Sequence, residues 1–223
     1  MLCIIQARCS SKRLPGKVLK KINGLTILER VFNQVKKSKK IKRIIVATSN
    51  HKTDKKIIKF CKIKNINCFA GPLNDVLKRF YLIVKNQNYK SFVRISADSP
   101  FVDPKLIDKA VSIYSKKNYD IVTNIFPRTF PKGFSVEVIS SKVILNSINK
   151  IRKKKHKEHL TSYFYQNYKK YKIKNFFSKV NQNNLNFSID SKSDLSKAKK
   201  IIKNIKKNNI TLDYILKIYQ KLI

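Results

Sequence analysis

The chain has 223 residues, 42% of them apolar and 10% aromatic, enough for one substantial core and too few for two average domains. Four Gly and six Pro beside that aromatic content exclude collagen-like, low-complexity and fully disordered classes. Lys and Arg outnumber Asp and Glu 51 to 12, a formal net charge of +39 that taken alone points to a polyanion partner. Only 8 of the 51 are Arg, and Lys is spread through every segment, so most of the charge reads as solvated surface, with local clusters at 36–40 and 152–155.

In chain order, short apolar runs alternate with helical patterns. Residues 2–7 are the first expected strand, followed by Leu25, Leu28, Val31, Phe32 and Val35 at helical spacing. Strands are expected at 43–48, 67–70, 91–95 and 119–123, with helical stripes at Ile57, Ile58 and Cys61 and at Val76, Leu77, Phe80, Tyr81 and Val84 between them. Asp103-Pro104 reads as an N-cap with proline in the first turn, opening a helix through Leu106, Ile107, Ala110, Val111 and Tyr114. The second half is less regular. An apolar run at 134–139, helical patterns at 143–151 and 159–167, strands at 171–177 and 185–189, and helices at 195–205 and 212–222 complete the expectation. Strand-helix repetition predicts a mostly parallel sheet covered on both faces, with sites at the carboxyl ends of strands. One domain over 1–223, with an inserted arm within about 125–180, fits this order.

No apolar run approaches the roughly 18–20 residues that cross a bilayer, and no basic segment precedes the first apolar residues, so a cytoplasmic protein without membrane partners is expected. Cysteines at 3, 9, 61 and 68 lack C-x-x-C spacing and read as buried thiols.

Two constellations carry chemistry. Residues 8–17 follow the first strand and hold Arg8, Arg13 and Lys17 with two hydroxyls and a Pro-Gly turn, a set of donors able to converge on a polyphosphate, without the spacing of a Walker loop. A solvated basic loop is the competing reading. The second is Asp98, at the end of an apolar strand, with Asp190 following a later apolar run. Together they suit a hard divalent cation, Mg²⁺, completed by substrate phosphates, and each also reads as a turn or cap residue.

Residues 4–19 (IIQARCSSKRLPGKVL) resemble the amino-terminal signature of cytidylyltransferases that activate sugar acids, in particular the branch of spore coat polysaccharide biosynthesis protein F. The resemblance continues, in order, through RIIVATSN (43–50), GPLNDVLKRFY (71–81), RISADSPFVDPKLID (94–108), FPRTFPKGFSVEV (126–138), KEHLTSYFY (157–165) and FSIDSKSDL (187–195). It implies a Rossmann-like, three-layer α/β/α nucleotidyltransferase fold, and transfer of CMP from CTP to a sugar acid with release of pyrophosphate, for surface polysaccharide assembly. It also implies that Gln6, Ala7, Arg8, Arg13, Lys17 and Ser96 contact the nucleotide, that Lys17, Arg8 and Asp98 act in catalysis, and that Asp98 and Asp190 hold Mg²⁺. Arg94, Arg128, Lys132, Glu137 and His159 are the candidates for the sugar, and a homodimer is a further expectation. Relatives carry Gln-Gly immediately before the metal aspartate; Ser96-Ala97 stands there here, which leaves the base open. Transfer to another sugar or sugar phosphate, a nucleotide-sugar glycosyltransferase, and a basic nucleic-acid-binding module are the rival readings, the last disfavoured because no specific nucleic-acid motif is present.

Overall fold

The computed structural model describes residues 1–206 and 210–222. The strands and helices form in the order β1 (Leu2–Gln6), β2 (Lys21–Ile22), β3 (Leu25–Thr26), α1 (Ile27–Lys36), β4 (Arg43–Ser49), α2 (Lys55–Ile63), β5 (Cys68–Gly71), α3 (Val76–Gln87), β6 (Ser91–Ser96) and α4 (Pro104–Tyr114). They continue with β7 (Ile121–Thr123), β8 (Glu137–Ser140), α5 (Ser141–Ser147), α6 (Lys154–Glu158), α7 (Ser162–Gln166), β9 (Ile173–Asn175), α8 (Lys192–Lys203) and α9 (Leu212–Gln220). Seven strands make one sheet in the order β5-β4-β1-β6-β8-β7-β9; β2 and β3 form a small hairpin apart from it. Pairing is parallel except where β8 runs antiparallel to both β6 and β7.

The two faces of the sheet follow from strand periodicity. Cys3, Ile5, Val46, Val93, Ile95, Val122 and Val138 point to one side and pack with the buried stripes of α1, α2, α4, α8 and α9. Leu2, Ile4, Ile45, Phe92, Ile121 and Ile139 point to the other and pack with α3, α5 and the Leu160–Phe164 region. The result is the mixed α/β, mostly parallel sheet covered on both faces that the sequence predicts. Helix starts are set by local chemistry: Thr26 caps α1 through Glu29 N–H at 3.1 Å, Asp103 caps α4 ahead of Pro104, and Ser191 and Asp194 form a reciprocal capping box on α8.

The second half departs from expectation in two places. Residues 185–189 form no named strand; Phe187 is buried against Phe101, Phe134 and Tyr219, and the segment makes a single bridge, Lys132 to Asn186. Its apolar character comes from burial in the core rather than from ladder pairing. Of the helix expected at 159–167 only Ser162–Gln166 (α7) forms; α6 precedes it at Lys154–Glu158, outside the expected span, and His159 and Thr161 stand between the two in non-helical or capping conformations.

Candidate active site

Five chain segments meet over the carboxyl ends of β1 and β6 to form a cleft of about 500 Å³. The loop after β1 folds back on the carbonyl of Cys9, which accepts from Ser11 N–H and Gly16 N–H, both at 2.9 Å. Gly16 has φ +66°, a left-handed conformation that a side chain would strain, and it turns the chain so that Lys17 enters the interior. The loop is anchored from beneath by Asp54. This fully buried carboxylate accepts from Cys9 N–H at 2.7 Å, and from Ser49 through N–H at 3.2 Å and Oγ at 2.5 Å. Burial, followed by the Asp54 charge, pushes the Cys9 thiol up to about 11, so it is protonated at neutral pH.

Asp98 follows β6 directly. Asp190 is brought to it by the irregular 185–189 segment, because Ile189 N–H donates to the Asp98 carbonyl at 2.9 Å. Gly133, with φ +96°, makes this path available: a Cβ there would lie 2.7 Å from the Phe187 carbonyl carbon. Lys17 Nζ then donates to Asp98 Oδ2 and Asp190 Oδ1, each at 2.7 Å, with only 9% of its side chain exposed. Arg13 stands 3.6 Å from Asp190 Oδ2. Burial pushes the Asp190 carboxyl up, but the Lys17 hydrogen bond and the Lys17 and Arg13 charges outweigh it and hold it below the ordinary range.

Two carboxylates converging on one buried ammonium make an oxygen donor set with a cation already at its centre. Among the described residues no cluster of three or more His, Cys, Asp or Glu forms a complete metal cage. Asp98 and Asp190 are the residues that could hold a divalent cation of the kind that keeps several ligand positions for water and substrate phosphates.

Gln6, Arg8, Arg13, Lys17, Ser96, Asp98 and Asp190 all line the cleft. Ala7 does not; it is 1% exposed and its N–H donates to the Ala47 carbonyl at 3.0 Å. Ser10 and Ser11, the two hydroxyls of the loop, line the cleft too, as do Lys12, Leu73, Asn74 and Glu158, which were not among the predicted site residues. Glu158 accepts from Arg8 at 3.1 Å, a bond that pulls its carboxyl down. Buried Arg79 holds the Leu73 wall through the carbonyls of Pro72 and Leu73, at 2.7 and 3.2 Å.

The residues expected at a sugar site are placed differently. Arg94 and Glu137 are ion-paired on neighbouring strands, with Glu137 only 2% exposed. Tyr165 on α7 donates to Glu137 Oε1 at 2.5 Å, and its phenol oxygen accepts from the Thr123 hydroxyl at 3.2 Å. Arg128 spends two N–H groups on Ser135 Oγ, both at 3.1 Å, and burial lowers its pKa. Lys132 and His159 are exposed and lie outside the cleft lining. Neither Asp54 nor Tyr165 was singled out from the sequence, since Cys9 for Asp54 and Thr123 and Glu137 for Tyr165 lie far away in the chain.

The family model described as Cytidylyltransferase matches residues 2–221. The chain is 30% identical over 169 residues to the spore coat polysaccharide biosynthesis protein SpsF of Bacillus subtilis, covering 73% of this chain and 69% of that protein. It is 36% identical over 124 residues to the 3-deoxy-manno-octulosonate cytidylyltransferase of Rickettsia peacockii, covering 55% of this chain and 50% of that one. Among solved structures, a cytidylyltransferase from Leptospira borgpetersenii superposes with a TM-score of 0.94 at 26% identity, covering 99% of this chain and 94% of that one.

Proposed function

The chain belongs to the cytidylyltransferase family of nucleotidyltransferases, and from that premise we propose that it transfers CMP from CTP to a hydroxyl of a sugar acid, releasing pyrophosphate. The observation that carries this reading is Lys17 Nζ, seated between Asp98 and Asp190 at 2.7 Å from each at the foot of a loop rich in cations. The sugar acid is supported by the 3-deoxy-manno-octulosonate relative, and a destination in surface polysaccharide by the spore coat relative.

In this reading Arg8, Lys12 and Arg13 gather the triphosphate at the cleft mouth, and Ser10 and Ser11 add hydroxyl donors. The acceptor oxygen forms its bond to the α-phosphorus as the bond to the bridging oxygen of the pyrophosphate breaks in line. Lys17, close to both carboxylates, is placed to follow charge as it builds on the α-phosphate and the departing group. Asp98 and Asp190 would hold Mg²⁺, which when bound neutralises phosphate charge and orients the leaving group.

The test is pyrophosphate release with CTP, Mg²⁺ and a panel of sugar acids and sugar phosphates. Release requiring CTP and a sugar acid is expected, with D98A and K17A each slower by about 10²- to 10³-fold. Release with sugar phosphates alone, or undiminished turnover in both variants, would overturn it.

A further inference from the structure

We infer that Gln6 is the residue that distinguishes cytosine from uracil, because Arg94 locks its carboxamide with the N–H end toward the nucleotide. This rests on the cytidylyltransferase reading and adds to it the means of base selection.

The strand register puts Gln6, Arg94, Glu137 and Thr123 on one face of the sheet: Arg94, Glu137 and Thr123 lie side by side across β6, β8 and β7, and Gln6 on β1, opposite Ser96, stands diagonal to Arg94. Arg94 donates to Gln6 Oε1 twice, from Nε at 3.1 Å and from Nη2 at 3.0 Å, and its Nη1 donates to Glu137. Glu137 is fixed in turn by Tyr165. An arginine can only donate, so the oxygen of the Gln6 amide must face Arg94, and the amide cannot flip without losing both bonds. Two donated hydrogen bonds use both lone pairs of Oε1. The Nε2 group is left at the cleft wall with no protein partner among the described residues.

A free amide reads either partner, because it can turn its donor or its acceptor outward. A locked amide reads one. Cytosine carries a lone pair at N3, where uracil carries N–H, so a fixed N–H donor pairs with the first and meets the second donor to donor. Ser96, beside Gln6 in the parallel register, cannot make this distinction, since a hydroxyl rotates to suit either base.

The experiment is equilibrium binding of CTP and UTP by calorimetry with Mg²⁺, needing no acceptor sugar. Wild type is expected to bind CTP at least about 10-fold more tightly than UTP. Gln6→Glu keeps one oxygen on Arg94 and turns an acceptor outward, so the CTP-to-UTP affinity ratio should fall by about 10- to 100-fold. The double variant R94M/E137M removes the buried pair together, avoiding a stranded charge, and frees the amide; its ratio should approach one while CTP still binds. An unchanged ratio in Gln6→Glu, or equal affinities in wild type, overturns this inference alone. A wild type that binds neither nucleotide overturns the functional reading, and this inference falls with it.

Discussion

Acidic residues are scarce in this chain, and almost all are engaged. Glu29 pairs with Lys64; Asp75, Asp103 and Asp194 cap helices; Asp54, Asp108 and Asp120 bind backbone N–H groups; Asp98, Glu137, Glu158 and Asp190 hold cations in or beside the cleft. The row behind Gln6 has a titration signature at Tyr165. Burial first, and the Glu137 charge second, push its phenol well above the ordinary range of about 10. As pH rises, the unfolded chain therefore loses this proton before the folded one does. The stability tied to the neutral phenol is fully present below pH about 10 and is lost as pH climbs through the folded-state value. Ultraviolet titration of the folded protein should show a late phenolate component that Y165F removes. Titration of all ten tyrosines together near pH 10 would show that the phenol is not held by Glu137.

At the scale of elements, Asp103 ties the start of α4 to the start of α9. Its carboxylate accepts from Lys105 N–H at 2.7 Å and from Leu212 N–H at 2.9 Å, and only 4% of the residue is exposed. Burial raises its pKa even though both backbone bonds pull the other way. D103A loses the cap and leaves Leu212 N–H unpaired, so urea unfolding should register a loss of about 2–3 kcal/mol. D103N offers one acceptor oxygen for the two N–H donors, so it should fall between D103A and wild type; equal losses in the two would assign the effect to the charge instead. The cap was legible in the Asp-Pro pair, as were the strands of the first half, where β-branched runs are buried on both faces by parallel crossovers. So were the loop of Arg8 and Lys17 and the carboxylates of Asp98 and Asp190. The contact between Lys17 and those carboxylates was not legible, because it depends on a path from Gly133 to Ile189 that follows no periodicity. Nor was the row from Gln6 to Thr123. Its members come from strands whose neighbours in the sheet are not neighbours in sequence, and a one-residue change of register would send each to the opposite face.

The molecule as a whole carries a net charge of +39 with its few acids committed to internal bonds, so its surface is close to a single-sign field. Self-repulsion in such a field opposes the compact state, and salt relieves it: the Debye length falls from about 30 Å at 0.01 M to about 10 Å at 0.1 M and about 3 Å at 1 M. The ion pairs that shape the cleft respond less, because Lys17 is almost wholly enclosed and buried pairs are weakly screened. Global stability and the local architecture of the site should therefore part company as salt is added. The melting temperature is expected to rise between 0.01 and 0.3 M NaCl, by several degrees if repulsion costs even about 1 kcal/mol. A flat or falling curve would show that the lysines are spaced widely enough for solvent to screen them unaided. CTP affinity should fall over the same range, since the exposed Arg13 attracts the triphosphate through solvent that the added ions screen. Opposite slopes for stability and affinity separate the bulk charge, which burdens the fold, from the few cations that the loop after β1 has aimed at a ligand.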